Sequence, residues 1–84
     1  MSLPGYIKRE IDMYVDDGVP PGNFVWRFLA NDLMLAAFHA DYGERKIFFY
    51  ICDYVFNAVP VGARGNYEKV AEWIKRKKND RDNP

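Results

Sequence analysis

Few side chains in this sequence have the type and spacing that catalysis requires. His39 is the only histidine, and Asp41 follows it by two residues, a spacing that puts the two side chains on different faces of a helix. Cys52, the only cysteine, lies in the most apolar segment, where a thiol packs as a small hydrophobe with a raised pKa. No nucleophile is paired with a base. We therefore predict a non-enzymatic protein with no metal or other cofactor.

Two polar segments have the residue types of a binding site. Asp16 and Asp17 could hold a hard cation, but they lack the regularly placed oxygen ligands of a calcium loop, so we interpret them as a solvated helix end. Residues 60–66 place two glycines and Arg64 just before a helix start, where a phosphate could be cradled. We favour a simple connector for this segment, since glycines suit turn conformations.

Positive charge is concentrated near the end of the chain. Residues 75–84 have a net charge of +3, and the cations are Lys75, Arg76, Lys77, Lys78 and Arg81. Such a cluster attracts nucleic-acid phosphates, and Trp73 or Tyr67 could stack on a base. Cations also complement the dipole at the carboxyl end of a helix, and we favour that interpretation.

Length and composition limit the architecture. The 84 residues predict one domain over residues 1–78 with a polar tail at 79–84. Twelve basic residues balance twelve acidic ones, which excludes a uniformly basic nucleic-acid clamp. The sequence shows neither a secretory leader nor a run of about 18 apolar residues, so we expect a cytoplasmic protein that does not enter a membrane.

The hydrophobic pattern predicts an all-α protein, a compact bundle of four to five short helices. The first helix covers residues from about 4 to 17 and ends at Gly18. A second, after Pro20-Pro21, turns an apolar face inward; its residues are Phe24, Val25, Phe28 and Leu29.

A third helix, capped by Asn31 or Asp32, has an inner stripe of Leu33, Ala36, Ala37 and Ala40. Whether it continues the second helix stays open. Residues 44–58 form the central helix, enclosed except along a polar stripe of Lys46, Tyr50, Asp53 and Asn57. Asn66 caps the last helix, which turns Tyr67, Val70, Ala71 and Ile74 inward.

Some large apolar side chains are left without a place in this core. A chain of this size encloses one helix but hardly two, so we expect another surface to cover the residues that point outward: Trp26, Met34, Leu35 and Phe38. The prediction is a self-complementary homodimer or a stable interface with a partner protein. In the alternative, loops and the first helix cover them in a monomer. A nucleic-acid-binding or nucleotide-binding protein using Arg64 and residues 75–78 is the second functional hypothesis.

Several short motifs follow one another in an order seen elsewhere. They are Tyr-Val-Asp-Asp-Gly-Val-Pro-Pro-Gly-Asn-Phe (14–24), Leu-Ala-Asn-Asp-Leu (29–33), Ala-Asp (40–41), Ala-Val-Pro-Val-Gly-Ala-Arg-Gly (58–65) and Glu-Lys-Val-Ala-Glu-Trp-Ile (68–74). This order resembles small uncharacterised helical proteins encoded by tailed bacteriophages and prophages, over most of the chain. Asn66-Tyr67 stands where that group usually has Ser-Pro. The resemblance implies a phage origin and a compact helical fold, and it carries over no catalytic or binding residue.

Overall fold

The chain forms short helices and no strand over residues 2–82, the part that this computed structural model describes. The α-helices are α1 (Gly5–Asp17), α2 (Asn23–Leu29), α3 (Leu33–His39), α4 (Tyr42–Lys46), α5 (Phe48–Ala58) and α6 (Tyr67–Asp82), with a 3₁₀ turn at Val61–Ala63. The predicted all-α class is confirmed, with six α-helices in that range rather than four or five. None of these helices combines the length and the apolar character needed to span a membrane.

The first helix follows the predicted amphipathic pattern. Ile7, Ile11 and Tyr14 lie at helical spacing and are all buried. The helix ends at Gly18, which has a φ of 70° and donates its N–H to the carbonyl of Tyr14 at 2.9 Å. A Cβ added at Gly18 would overlap the Cβ of Lys77 on α6. Both the left-handed backbone and the close approach of α6 therefore require glycine at this position.

The central helix is α2, although it has only seven residues. It packs against α1, α3, α5 and α6, and its side chains Val25, Phe28 and Leu29 are at most 3 % exposed. The inward apolar face predicted for this helix is confirmed. The prediction that residues 44–58 hold the central position is wrong.

The second and third helices are separate. Asn31 lies between them with a φ of 59°, and its N–H bonds to the carbonyl of Phe28 at 3.1 Å. The N–H of Asp32 bonds to the carbonyl of Arg27 at 2.8 Å, which completes the Schellman pattern that ends many helices. Asparagine suits this turn because it adopts the left-handed conformation more readily than most other residues.

The inner stripe of α3 is narrower than predicted. Ala36 and Ala40 are buried, whereas Leu33 and Ala37 are exposed. Asp32 precedes the helix, but its side chain makes no capping bond. Neither Asn31 nor Asp32 therefore caps α3 in the predicted way.

The predicted helix over residues 44–58 is broken at Ile47. The short α4 is capped by Asp41, whose carboxylate accepts from the N–H of Glu44 at 2.7 Å, while the Glu44 carboxylate accepts from the N–H of Asp41 at 2.9 Å. Ile47 is buried at the break, and α5 buries only Ile51 and Val55. This segment has more apolar side chains than its neighbours can cover, so part of its apolar surface faces outward.

The last helix is capped as predicted and lies against α1. The side chain of Asn66 accepts from the N–H of Lys69 at 2.8 Å. The indole N–H of Trp73 donates to the carbonyls of Tyr14 and Val15, at 3.2 Å in each case. Of the predicted inner residues, Val70 is buried and Ile74 partly buried, but Tyr67 and Ala71 are exposed.

The predicted polar tail at 79–84 is helical as far as it is described. Helix α6 continues without a break to Asp82, and Arg81 donates to the carbonyl of Asp17 at 3.3 Å, so this end also contacts α1. Asn83 and Pro84 lie outside the described residues.

Candidate functional site

A cleft of about 400 Å³ opens between α2, α5 and the loop that precedes α6. The core residues Phe28, Leu29 and Val55 form an apolar floor. The remaining lining includes three further apolar or sulfur-containing side chains, Leu33, Cys52 and Phe56, and three polar ones, Asn31, Asp53 and Arg64. An apolar surface with a few polar groups is the usual composition of a ligand-binding site.

Arg64 is held in a fixed orientation at this cleft. Its Nε donates to the carbonyl of Val59 at 3.1 Å, and its Nη2 lies 3.4 Å from the carbonyl of Phe56, so the guanidinium binds the carboxyl end of α5. The guanidinium carbon also lies 5.2 Å from the centre of the Phe56 ring. A phosphate or nucleic-acid contact for Arg64 was the alternative hypothesis from the sequence, whereas here much of the side chain stabilises a helix end.

The loop around Arg64 is closed by backbone bonds of its own. The N–H groups of Ala63 and Arg64 bond to carbonyls within the loop, at 2.9 and 3.4 Å, and the N–H of Gly65 bonds to the carbonyl of Leu29 at 2.8 Å. A phosphate cradle needs N–H groups that point to the ligand, so these bonds favour the connector interpretation of residues 60–66.

A side-chain bond joins the two loops that border the cleft. Tyr67, at the start of α6, donates its hydroxyl to the carboxylate of Asp32 at 2.6 Å. The pKa of Tyr67 is raised chiefly because this bond favours the protonated hydroxyl. Asp32 thus bonds to a residue distant in sequence and makes no capping bond to α3.

Cys52 and His39 have ordinary surroundings. Cys52 is partly buried and borders the cleft, and burial raises the pKa of its thiol, with the charge of Asp53 acting in the same direction. The predicted direction of that shift is confirmed. His39 is exposed at the end of α3, with its ring centre 5.2 Å from that of Phe38. Within residues 2–82, no group of three or more histidine, cysteine or acidic side chains is placed to hold a metal ion.

The apolar residues predicted to face a partner do not share one environment. Met34 is 89 % exposed and Phe38 77 % exposed, and both point away from buried Ala36 across α3. Leu35 is exposed to a smaller extent. Trp26 is partly buried and packs against the core. Its predicted outward position is therefore corrected, while a role for any of these residues in binding a partner stays a prediction.

Helix α5 has exposed aromatic side chains that the sequence did not single out. Phe49 is 80 % exposed and Phe56 71 % exposed, on the side of α5 away from Ile51 and Val55. They were predicted to lie inside the protein because residues 44–58 are apolar on most sides. Their spacing of seven residues on one helix face is the signal that could have grouped them.

The basic end of α6 is folded onto Trp73. The guanidinium carbon of Arg76 lies 4.5 Å from the centre of the Trp73 ring, and the ammonium of Lys77 lies 5.1 Å from it. Lys75 and Lys78 are exposed. Because the indole ring and its N–H contact the protein's own groups, Trp73 has less surface left for a nucleic-acid base.

A small polar cluster links α1 to α5. The Tyr54 hydroxyl donates to the Asp12 carboxylate, which also pairs with Lys8 at 3.0 Å. The pKa of Asp12 is lowered chiefly because the Tyr54 hydroxyl bonds to the charged form; Lys8 acts in the same direction and partial burial opposes it. The cluster therefore stabilises the fold most when Asp12 is ionised.

We expect Tyr54→Phe to lower the free energy of unfolding by about 1 kcal/mol or less near neutral pH, since Asp12 is partly solvated. The folded-state pKa of Asp12 lies below its ordinary 3.8, so this stabilisation is present above that pH and is lost as the pH falls through the folded-state value. Urea unfolding near neutral pH and at about pH 2 measures the change. Tyr6→Phe, at an exposed tyrosine, is the control. An equal loss at both pH values would exclude the charged bond as its cause.

Comparison of the chain with protein-family models, curated proteins and solved structures finds no match.

Proposed function

We propose that the protein is a non-enzymatic interaction module that pairs with a second copy of itself through the outward face of α3. The exposure of Met34 and Phe38, 89 % and 77 %, is the observation that carries the proposal. These two side chains lie one helical turn apart and form one apolar ridge. Contiguous apolar patches on a protein surface often mark association sites.

The absence of lysine, arginine, aspartate and glutamate from α3 favours a second copy as the partner. Residues 33–39 contain no lysine, arginine, aspartate or glutamate. A two-fold symmetric interface brings together the same surface patch of both subunits. A patch whose charges all have one sign would therefore repel its own copy, whereas the face of α3 would not. A standard interface buries about 800 Å² on each partner, roughly one-seventh of the 5551 Å² accessible surface of this chain. Helix α3 has only seven residues, so an interface of that size would include residues that flank the helix.

We further propose, on the motif resemblance alone, that the protein is of phage type and acts in the cytoplasm of a bacterial cell. A host or phage protein is then the other candidate for the same surface of α3, and such a complex would let the protein modulate host functions. The nucleic-acid hypothesis has less support, because Trp73, a candidate for stacking on a base, donates its N–H to α1 and has Arg76 and Lys77 over its ring.

Replacing both Met34 and Phe38 by serine is expected to weaken the dimer without unfolding the monomer. Truncating one central interface residue costs about 2 kcal/mol, so the dissociation constant should rise at least about thirtyfold. Sedimentation equilibrium over a range of concentrations measures this. Wild-type protein should give about twice the 9.8 kDa chain mass, and the variant a mass near one chain.

A matched control removes a similar apolar area elsewhere. Tyr6 and Val61 are 71 % and 67 % exposed outside α3, and replacing both by serine should leave the dimer intact. A wild-type mass of one chain at about 100 μM would mean that any dimer dissociates at that concentration, which refutes the proposed self-association.

A separate experiment tests the nucleic-acid hypothesis. If the wild-type protein binds a single-stranded oligonucleotide, and Lys75→Glu with Arg76→Glu abolishes that binding, the nucleic-acid hypothesis is supported.

A further inference from the structure

We propose that the cleft between α2 and α5 binds an apolar amino-acid residue with a free α-carboxylate, either as a free amino acid or as the last residue of a peptide. The side chain would lie on the floor of Phe28, Leu29 and Val55, and the carboxylate at Arg64. The α-nitrogen would lie at Asp53, as an ammonium in a free amino acid or as an amide N–H in a peptide. The cleft shares Leu33 with α3 but does not include Met34 or Phe38, the residues on which the dimer proposal rests.

The size and lining of the cleft suit such a ligand. Its volume of about 400 Å³ falls in the usual range of ligand sites, roughly 300–1,000 Å³. The floor residues are at most 6 % exposed and are fixed by core packing, so most of the apolar surface open to a ligand belongs to Leu33 and Phe56, 36 % and 71 % exposed. An apolar side chain placed there removes hydrocarbon from water without any rearrangement of the core.

Arg64 is prepared to bind a carboxylate. Its bonds to the carbonyls of Val59 and Phe56 use Nε and one hydrogen of Nη2, and a guanidinium has further N–H donors, including both at Nη1. Because those bonds and the Phe56 ring hold the guanidinium in place, it is already ordered before a ligand binds. A planar guanidinium pairs with a carboxylate through two parallel hydrogen bonds.

Asp53 gives the cleft a second charge of opposite sign. It is exposed and lies one helical turn before Phe56, on which Arg64 is stacked; such positions are about 5–6 Å apart at Cβ. Within residues 2–82 the ion pair that forms is Lys8 with Asp12, so Asp53 and Arg64 are not paired with each other. A carboxylate and a guanidinium beside one apolar floor match the two charges and the side chain of an apolar amino acid.

The test titrates ¹⁵N-labelled full-length protein with four ligands and follows its amide signals. The ligands are L-phenylalanine, L-phenylalaninamide, 3-phenylpropanoate, and the peptide Gly-Gly-Phe with a free carboxylate. We expect saturable shifts at Asn31, Asp53 and Gly65 with phenylalanine or the peptide. Loss of the carboxylate in the amide should weaken binding at least about tenfold.

Comparisons among these ligands and two protein variants distinguish a free amino acid from a peptide terminus, and they can overturn the proposal. Tighter binding of Gly-Gly-Phe than of phenylalanine identifies a peptide terminus, and the reverse identifies the free amino acid. Asp53→Asn should weaken phenylalanine several-fold, whereas Asp80→Asn, an exposed acid on α6, should not. Absence of saturable shifts at millimolar concentrations of every ligand overturns the proposal. So does equal affinity for the amide or for 3-phenylpropanoate, because the Arg64 or Asp53 contact is then not used.

Discussion

Gly18→Ala is expected to destabilise the protein by about 2–5 kcal/mol. A residue with a Cβ loses about 1–2 kcal/mol in the left-handed conformation that Gly18 adopts, with a φ of 70°. The new Cβ also overlaps the Cβ of Lys77, which is fixed to the backbone of α6 and cannot rotate away. Overpacking of this kind costs about 1–3 kcal/mol. The total is a large part of the stability of a small domain, which is about 5–15 kcal/mol.

Urea unfolding followed by circular dichroism measures the loss at Gly18, with Gly62→Ala as the matched control. A Cβ at Gly62 meets nothing within 4 Å, so this variant should unfold at nearly the wild-type urea concentration. The double variant Gly18→Ala with Lys77→Gly removes the overlap and should show a coupling of about 1–3 kcal/mol relative to the single variants. Independent effects of the two changes would mean that α6 does not approach Gly18 as closely as described.

Tyr14→Phe is expected to cost about 1–3 kcal/mol, although it removes a single oxygen atom. The Tyr14 hydroxyl donates to the carbonyl of Ala63 at 2.6 Å, and both residues are fully buried. Phenylalanine leaves that carbonyl without its partner and without access to water. The bond joins α1 to the 3₁₀ turn before α6, so its loss weakens the contact between these two segments.

The same tyrosine predicts how stability depends on alkaline pH. Burial raises the pKa of Tyr14 well above its ordinary 10.0. At a pH between 10.0 and the raised folded-state pKa, the unfolded chain releases the phenolic proton and the folded chain retains it. The free energy of unfolding therefore falls as the pH rises above about 10. Tyr14→Phe should therefore show a smaller alkaline loss than wild type, by chemical unfolding at several pH values. Tyr6→Phe, at an exposed position, should follow wild type. Parallel curves for wild type and Tyr14→Phe would show that Tyr14 ionises normally in the fold.

The signals that start and stop helices could be predicted because they are local. Gly18 ends α1 through a backbone conformation that glycine adopts without strain, and Asn66 caps α6 through a bond to a residue three positions on. The apolar spacing of Ile7, Ile11 and Tyr14 identified the buried face of α1, since its other positions are mostly polar. The sequence thus determined the all-α class and the residues near which most helices begin or end.

The tertiary structure decided which apolar surfaces are covered. Residues 44–58 are apolar on most sides, so their pattern could not show which side faces the core. Burial depends on the neighbours that reach the segment, and these leave Phe49 and Phe56 exposed while the seven-residue α2 takes the central position. The prediction went wrong because it took an abundance of apolar residues as evidence of enclosure, although a chain of this length cannot enclose them all.

The cleft likewise depends on contacts between distant residues. Asn31, Asp53 and Arg64 are separated by long stretches of sequence, and no spacing rule relates them. They come to line one cleft because the N–H of Gly65 bonds to the carbonyl of Leu29, Tyr67 bonds to Asp32, and Arg64 binds the end of α5. Sequence by itself determined the types of these residues and the helices near them. Their meeting over one apolar floor was decided by tertiary structure, because only the folded chain brings those bonding partners within reach.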